Sequence, residues 1–410
     1  MKKVVVTGIG VISPIGIGLD DYWAALAAGA SGCNISQVLS DKGNRSNLAC
    51  EADAFSPESY MDKKLIKRTS RFIQFALTSA QLALEQAKGF ETAYSSHQVG
   101  TLIGVGAGGY DALDTEYDKY FKKGPRYASP FAITNTIPNM AASNVAIANN
   151  FTGLCVAPVA ACAAGLYAVC EAVSFIQSGL IDAAIAGGVE STMTSFVVGG
   201  YDRLRVLSTR NDTPETASRP FDRDRDGFVI AEGCALFALE SYDSALQRGA
   251  NILGEISGFS LSCDASHITS PDLSGNVMAA TMKQAIHSAS IGTSDIAYVN
   301  AHGTSTKVND LVEAKAINDV FGDLESPMVV TAIKSMIGHS LGASGALALA
   351  ASLQSLNKNI IPPTINTSNL DEECRITIAG NRAKHKICNH VLTNAFGFGG
   401  HNASVVTSRI

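Results

Sequence analysis

The chain has 410 residues, 46% of them hydrophobic and 17% charged, a balance that supplies a large buried core and excludes intrinsic disorder. Lys and Arg number 31 against 37 Asp and Glu, and the net charge of -6 argues against a general nucleic-acid binder. At about 150 residues per domain, the length predicts two to three domains or one large duplicated fold.

Met1-Lys2-Lys3 before Val4-Val5-Val6 imitates a signal peptide, but Thr7, Gly8, Gly10 and Pro14 break the stretch, which reads instead as a first strand. No apolar run reaches the roughly 18 residues of a membrane helix. The 9 cysteines include no CxxC pair and read as reduced thiols of a cytoplasmic protein, mostly buried. Helical patterns cover Asp20–Ala28 and Lys64–Lys88. Short β-branched runs alternate with helices along the rest of the chain, at Val99–Val105, Cys155–Ala160, Ala183–Gly188, Cys234–Glu240, Ile252–Phe259, Ala297–Ala301, Met328–Ile333 and Val391–Ala395. This rhythm predicts an α/β fold with buried strands. A soft boundary near Gly249–Asn251 divides the chain into 1–250 and 251–410, whose similar rhythms suit a duplication.

Three motifs suggest chemistry that the context does not support. Gly104-Val105-Gly106-Ala107-Gly108-Gly109 matches the dinucleotide pattern, yet the segment about 20 residues on, Tyr120–Gly124, is no acidic strand end. Asp222–Gly227 resembles a calcium loop, but its twelfth position is Gly233. Gly338-His339-Ser340-Leu341-Gly342 matches the nucleophile elbow of hydrolases and acyltransferases. Asp371, His385, His390 and His401 follow it, but 410 − 340 leaves 70 residues, short for the remaining elements of such a fold. The plainer readings are close backbone approach, a charged turn and a tight helix entry.

A stronger constellation follows. Val156–Ala161 reads as a strand leading into Cys162, and Leu166, Val169, Val173 and Ile176 then recur at helical spacing up to Ser178-Gly179. Cys162 at a helix start would have its thiolate favoured by free N–H groups, although a Cys there is more often structural. His302 and His339 each stand just past a predicted strand end, where open α/β sheets place their sites. Lys334 precedes His339 by five residues. Neither His has a second ligand at metal spacing, so no metal is expected. One Cys, two His and one Lys suit acyl transfer through a thioester followed by carbon–carbon bond formation, with imidazoles stabilising an enolate.

With these residues the chain resembles a β-ketoacyl-acyl-carrier-protein synthase of the elongating, type II-like kind, a condensing enzyme of the thiolase superfamily. The likeness spans Val4–Gly10, Ala160–Gly165, Ala186–Glu190, Leu207–Asp212, Arg219–Val229, His302–Thr306, Lys334–Gly345, Pro362–Asn366 and Asn394–Asn402. It implies a duplicated five-layer α-β-α-β-α fold with mixed sheets. It places the catalytic set on Cys162, His302, His339 and Lys334, and the oxyanion hole on the N–H groups of Cys162 and Phe398. Phe398 would gate the pocket within the Phe396–Gly400 loop, with Phe396 and Gly399 beside the substrate. Thr304 and Thr306 would meet a pantetheine arm, and Ala107 would face the far end of the acyl pocket. The implied substrates are acyl and malonyl thioesters of an acyl-carrier protein, which brings the phosphopantetheine, so the enzyme needs no cofactor of its own. The family also implies a homodimer, or a heterodimer with a chain-length-factor-like subunit.

Three positions depart from the family pattern: Ala348 where a Glu usually helps hold the lysine, Lys307 where a Pro follows HGTST, and His401 where a Thr follows FGFGG. An acidic carrier calls for a basic docking surface. The clusters Lys63, Lys64, Lys67, Arg68, Arg71 and Lys122, Lys123, Arg126 offer one, against the plainer reading of solvated helix faces. Two other readings stay open at this stage, a Ser340 acyltransferase or thioesterase and a non-catalytic partner subunit of a ketosynthase.

Overall fold

The computed structural model describes residues 2–40 and 43–410; Met1 of the signal-like start lies outside them. Strands join edge to edge in the order Thr377–Ile378, Val329–Thr331, Ile296–Asn300, His390–Gly397, His401–Ser408, Gly254–Cys263, Val4–Ser13, Gly233–Ser241, Ala183–Glu190, Val99–Val105, Cys155–Val156. The outer strands on each flank are parallel and the inner ones antiparallel, so the sheet is mixed. Its midpoint is a short contact, Val5 opposite Glu255 and Val6 opposite Gly254, where the two halves of the sheet meet.

Five layers result. Arg71–Gln86 and Met140–Ala148 cover one outer face, Asn276–Ser288 and Lys307–Phe321 the other, and Ala164–Ser178 with Ser344–Lys358 fill the centre. Strands such as Ala183–Glu190 are apolar without alternation because both faces are covered. The central helices are apolar nearly all round for the same reason. They come close because small residues line their contact: a Cβ added to Gly165 would stand 2.8 Å from the Gly342 carbonyl oxygen.

The two central helices repeat one design. Ala161 (φ 47°) and Leu341 (φ 42°) each open a tight 3-10 turn before a 15-residue helix. The helices end on left-handed caps, Gly179 and Asn359. The offset is 341 − 161 = 180 at the turn and 344 − 164 = 180 at the helix start. The same offset sets Gly342 opposite Cys162.

Three sequence expectations change. The Lys64–Lys88 helix is two helices: Asp62 accepts from the N–H groups of Lys64 and Leu65 at 2.8 Å to start Lys63–Ile66, and Arg71–Gln86 starts afresh after Ser70. The strand before Cys162 is only Cys155–Val156, since the chain must turn sharply through Ala161. Ala161–Ser178 does reach 18 residues at a mean hydropathy of 1.3, the length and composition of a membrane span, but this segment is the buried helix at the centre of the fold.

Candidate active site

Cys162 sits on the 3-10 turn Ala161–Ala163 rather than inside the following helix. Burial pushes its thiol up to about 11; the Lys334 ammonium and the backbone N–H groups of Phe398 and Cys162 oppose the rise, and Glu190 adds to it. Desolvation therefore outweighs the helix-start effect expected from sequence, and the resting group is a thiol. The two N–H groups aimed at the sulfur are the pair that the family likeness assigns to an oxyanion hole.

His302 follows the strand Ile296–Asn300, and the whole loop after it is pinned by acids on the helix Lys307–Phe321. Glu313 accepts from the N–H of His302 at 2.7 Å and of Gly303 at 2.8 Å, while Asp310 accepts from Thr304 N–H at 2.9 Å and Ser305 N–H at 3.1 Å. Lys334 donates to the His302 carbonyl at 2.6 Å and stands 3.3 Å from His302 Nδ1. His339 is clamped by the first half of the chain: its N–H donates to Val229 O at 2.8 Å and its carbonyl accepts from Ala231 N–H at 3.0 Å. The two imidazole rings lie 5.3 Å apart at 84°, with Phe228 at the edge of one and Phe396 beside the other.

Burial and then the Lys334 charge hold both imidazoles well below their usual pKa, so both are neutral. Burial lowers Lys334 to about 8, against the pull of Glu313, Cys162 and Asp310. The acids facing the lysine are thus Glu313 and Asp310, so the family's usual Glu at position 348 is not what holds it. Ala348 instead offers its carbonyl to Asn300 Nδ2 at 2.9 Å.

Cys162, His302 and His339 line one cavity of about 530 Å³ with Thr304, Thr306, Lys307, Phe396 and Phe398. Tyr201 adds an aromatic wall, its ring 6.4 Å from that of Phe398. Two expected residues stay outside the lining. Gly399 donates its N–H to Ile268 O at 2.8 Å, and Ala107 gives its N–H to a buried carboxylate. Glu190, fully buried at the end of Ala183–Glu190, accepts from the N–H groups of Gly106 at 2.8 Å, Ala107 at 3.1 Å, Gly108 at 3.1 Å and Gly342 at 3.2 Å. The amides that a dinucleotide pyrophosphate would need are therefore already used, which answers the GxGxxG motif.

The docking clusters divide. Lys63, Lys64, Lys67 and Arg68 are exposed, as are Lys122, Lys123 and Arg126. Arg71 is not a free cation: it pairs with buried Glu232 at 2.7 Å and lies over the rings of Phe55 and Phe75. Ser340 Oγ is fully buried, 3.3 Å from Ser344 Oγ, outside the cavity. None of its proposed partners reaches it: Asp371 pairs with Arg225, His390 bonds Ser408, His401 lies edge-on to Tyr167, and His385 is exposed. Among the described residues no cluster of three metal-ligating side chains occurs.

Residues 1–245 match the model of the β-ketoacyl synthase N-terminal domain, and 253–368 that of its C-terminal domain. The chain belongs to the β-ketoacyl synthase family. It is 41% identical over 409 residues to the 3-oxoacyl-[acyl-carrier-protein] synthase 2 of Coxiella burnetii, covering 100% of this chain and 99% of that one. Among solved structures it is similar to the ishigamide ketosynthase/chain length factor, with TM-score 0.93, 32% identity and coverage of 100% and 99%. It is also similar to a type II polyketide ketosynthase bound to a hexaketide and in complex with its acyl-carrier protein, with TM-score 0.92, 28% identity and full coverage of both chains. This β-ketoacyl synthase is an acyltransferase that joins acyl units by condensation, as the sequence implied, with the thiolase-like layers described above.

Glu313, Glu190 and Ser344 escaped the sequence reading. Asp310 and Glu313 carried a signal, two acids at i, i+3 among apolar residues of one helix, and Glu190 another, an acid ending an apolar strand.

Proposed function

We propose that this chain elongates acyl chains by decarboxylative Claisen condensation of an acyl group on Cys162 with malonyl-acyl-carrier protein. The observation that carries the reading is the convergence of Cys162, His302 and His339 on one cavity with the Lys334 ammonium behind them. Cys162 sulfur attacks the acyl thioester, and the carrier thiol leaves with the proton the sulfur gives up. The oxyanion formed in this step accepts from the N–H groups of Cys162 and Phe398. Malonyl thioester then loses carbon dioxide, and the electron pair of the broken bond becomes an enolate held by N–H groups of the neutral His302 and His339. The enolate carbon attacks the Cys162 thioester, the sulfur leaves as thiolate and takes up one proton from solvent, and β-ketoacyl-acyl-carrier protein departs.

The substrate's phosphopantetheine enters past Thr304 and Thr306, with Phe396 and Phe398 forming the wall that moves. No cofactor or metal belongs to the enzyme itself. The halves 1–250 and 251–410 supply the nucleophile and the histidines respectively, and the protein works in the cytoplasm. A second copy of the chain covers the exposed apolar face of Tyr110–Lys123, which shows Tyr117, Tyr120 and Phe121 to solvent. A chain-length-factor-like subunit could take the same place, as the ishigamide ketosynthase pairs with one.

The decisive experiment is mass spectrometry of peptides after incubation with acyl-acyl-carrier protein. An acyl adduct on Cys162 is expected; an adduct on Ser340 overturns the reading.

A further inference from the structure

We infer that Ser344 is a positioning residue that fixes the tautomer of His339 through a hydroxyl relay, an inference that rests on the proposed role of His339 in decarboxylation. Ser344 opens the helix Ser344–Lys358, is buried, and places Oγ 2.8 Å from His339 Nδ1. Ser340 Oγ lies on its other side at 3.3 Å. Two proton arrangements fit these three groups, and they differ in what they leave unmet.

In one, Ser340 donates to Ser344 and Ser344 donates to Nδ1. Each hydroxyl proton then has an acceptor, and the imidazole carries its own proton on Nε2. In the other, Nδ1–H donates to Ser344 and Ser344 donates to Ser340, which leaves the Ser340 proton without an acceptor among the described residues. Ser340 is fully buried, so that orphaned donor is costly. Ser344 Oγ makes no hydrogen bond to the Ser340 carbonyl one helical turn back; among the described residues its partners are His339 Nδ1 and Ser340 Oγ. The first arrangement wins.

His302 reaches the same state by other means, since the Lys334 ammonium beside its Nδ1 is a donor with no acceptor capacity. Both imidazoles are thereby set to hold their proton on Nε2, the nitrogen that can donate to an enolate oxygen. One is set by a lysine, the other by a serine pair.

The test separates the two half-reactions in single turnover. Wild type, Ser344→Ala, Ser340→Ala and His339→Ala are first loaded with acyl-acyl-carrier protein, the Cys162 adduct is followed by mass, and carbon dioxide release is then timed after malonyl-acyl-carrier protein is added. Ser344→Ala is expected to slow carbon dioxide release about tenfold, with acylation and KM unchanged. Ser340→Ala should change it by less than about threefold. Equal slowing of both half-reactions in Ser344→Ala, or no slowing of decarboxylation, overturns the inference. If His339→Ala itself decarboxylates normally, the role of His339 falls, and that outcome is distinct from an unaffected Ser344→Ala beside a dead His339→Ala.

Discussion

Lys334 grips His302 twice, through the backbone carbonyl at 2.6 Å and at the ring Nδ1 at 3.3 Å. Removing the ammonium therefore disturbs a loop, a tautomer and the field at Cys162 together. Lys334→Met is expected to raise the Cys162 pKa further, because the positive charge is what offsets burial. Iodoacetamide alkylation at pH 8 should slow about tenfold if the shift is about one unit. Unchanged alkylation would show that the charge does not reach the thiol.

Cys162→Ala is expected to abolish condensation, while Ser340→Ala retains most of it. Carbon–carbon product formation from acyl- and malonyl-acyl-carrier protein reads both variants. Condensation surviving in Cys162→Ala would remove the nucleophile from the scheme.

Glu190 gives a pH dependence whose sign can be worked out. Burial raises its pKa to about 7 against the four N–H groups that oppose it. A raised carboxylate stabilises the fold fully below its ordinary value near 4.5 and loses that contribution as pH rises through 7. Glu190→Gln lacks this loss. Its stability relative to wild type should therefore improve between pH 4.5 and 7, by up to about 3 kcal/mol. Thermal melts of both proteins across that range check it, and a constant difference would contradict it.

Gly338, one residue before His339, has φ 66°, and a Cβ there would stand 2.6 Å from Cys50 Sγ and 2.9 Å from Val229 O. Gly338→Ala should cost about 2–4 kcal/mol and reduce condensation by displacing His339. Adding Cys50→Ala should restore part of the melting temperature, and strict additivity of the two changes would refute the contact.

Charge reversal at Lys67 and Arg68 is expected to raise KM for acyl-carrier substrates severalfold at low salt and to flatten its salt dependence. Reversing Lys64 should act in the same direction. Equal KM values at low salt would exclude this face as the carrier's landing site.

The sequence made the site legible where chemistry is concentrated in rare residues. Cys162, His302, His339 and Lys334 each stand at or close to an element end, and the geometry brings them to one place. What it hid has a physical cause. Glu190 accepts backbone N–H groups from loops far away in sequence, while Glu313 and Asp310 accept from the loop just before their own helix, and no spacing rule announces either kind of partner. The strand His401–Ser408 was missed because its buried positions include Asn402, Ser404 and Thr407, polar residues that bond to neighbouring groups inside the core. The single long helix expected across Lys64–Lys88 failed because Ser70 restarts the chain after a four-residue helix, a break that periodicity alone does not register. Arg71 looked like its basic neighbours until its ring and carboxylate partners were placed.

The 180-residue echo between Ala161 and Leu341 has a further consequence. The position that answers Cys162 in the second copy is Gly342, and a side chain there would strike the Gly106 backbone and press on the Glu190 carboxylate. The repeat is therefore locked into unequal roles. One copy carries the reactive tip, while at the matching position of the other only main chain fits, so no single substitution can give both turns a reactive side chain.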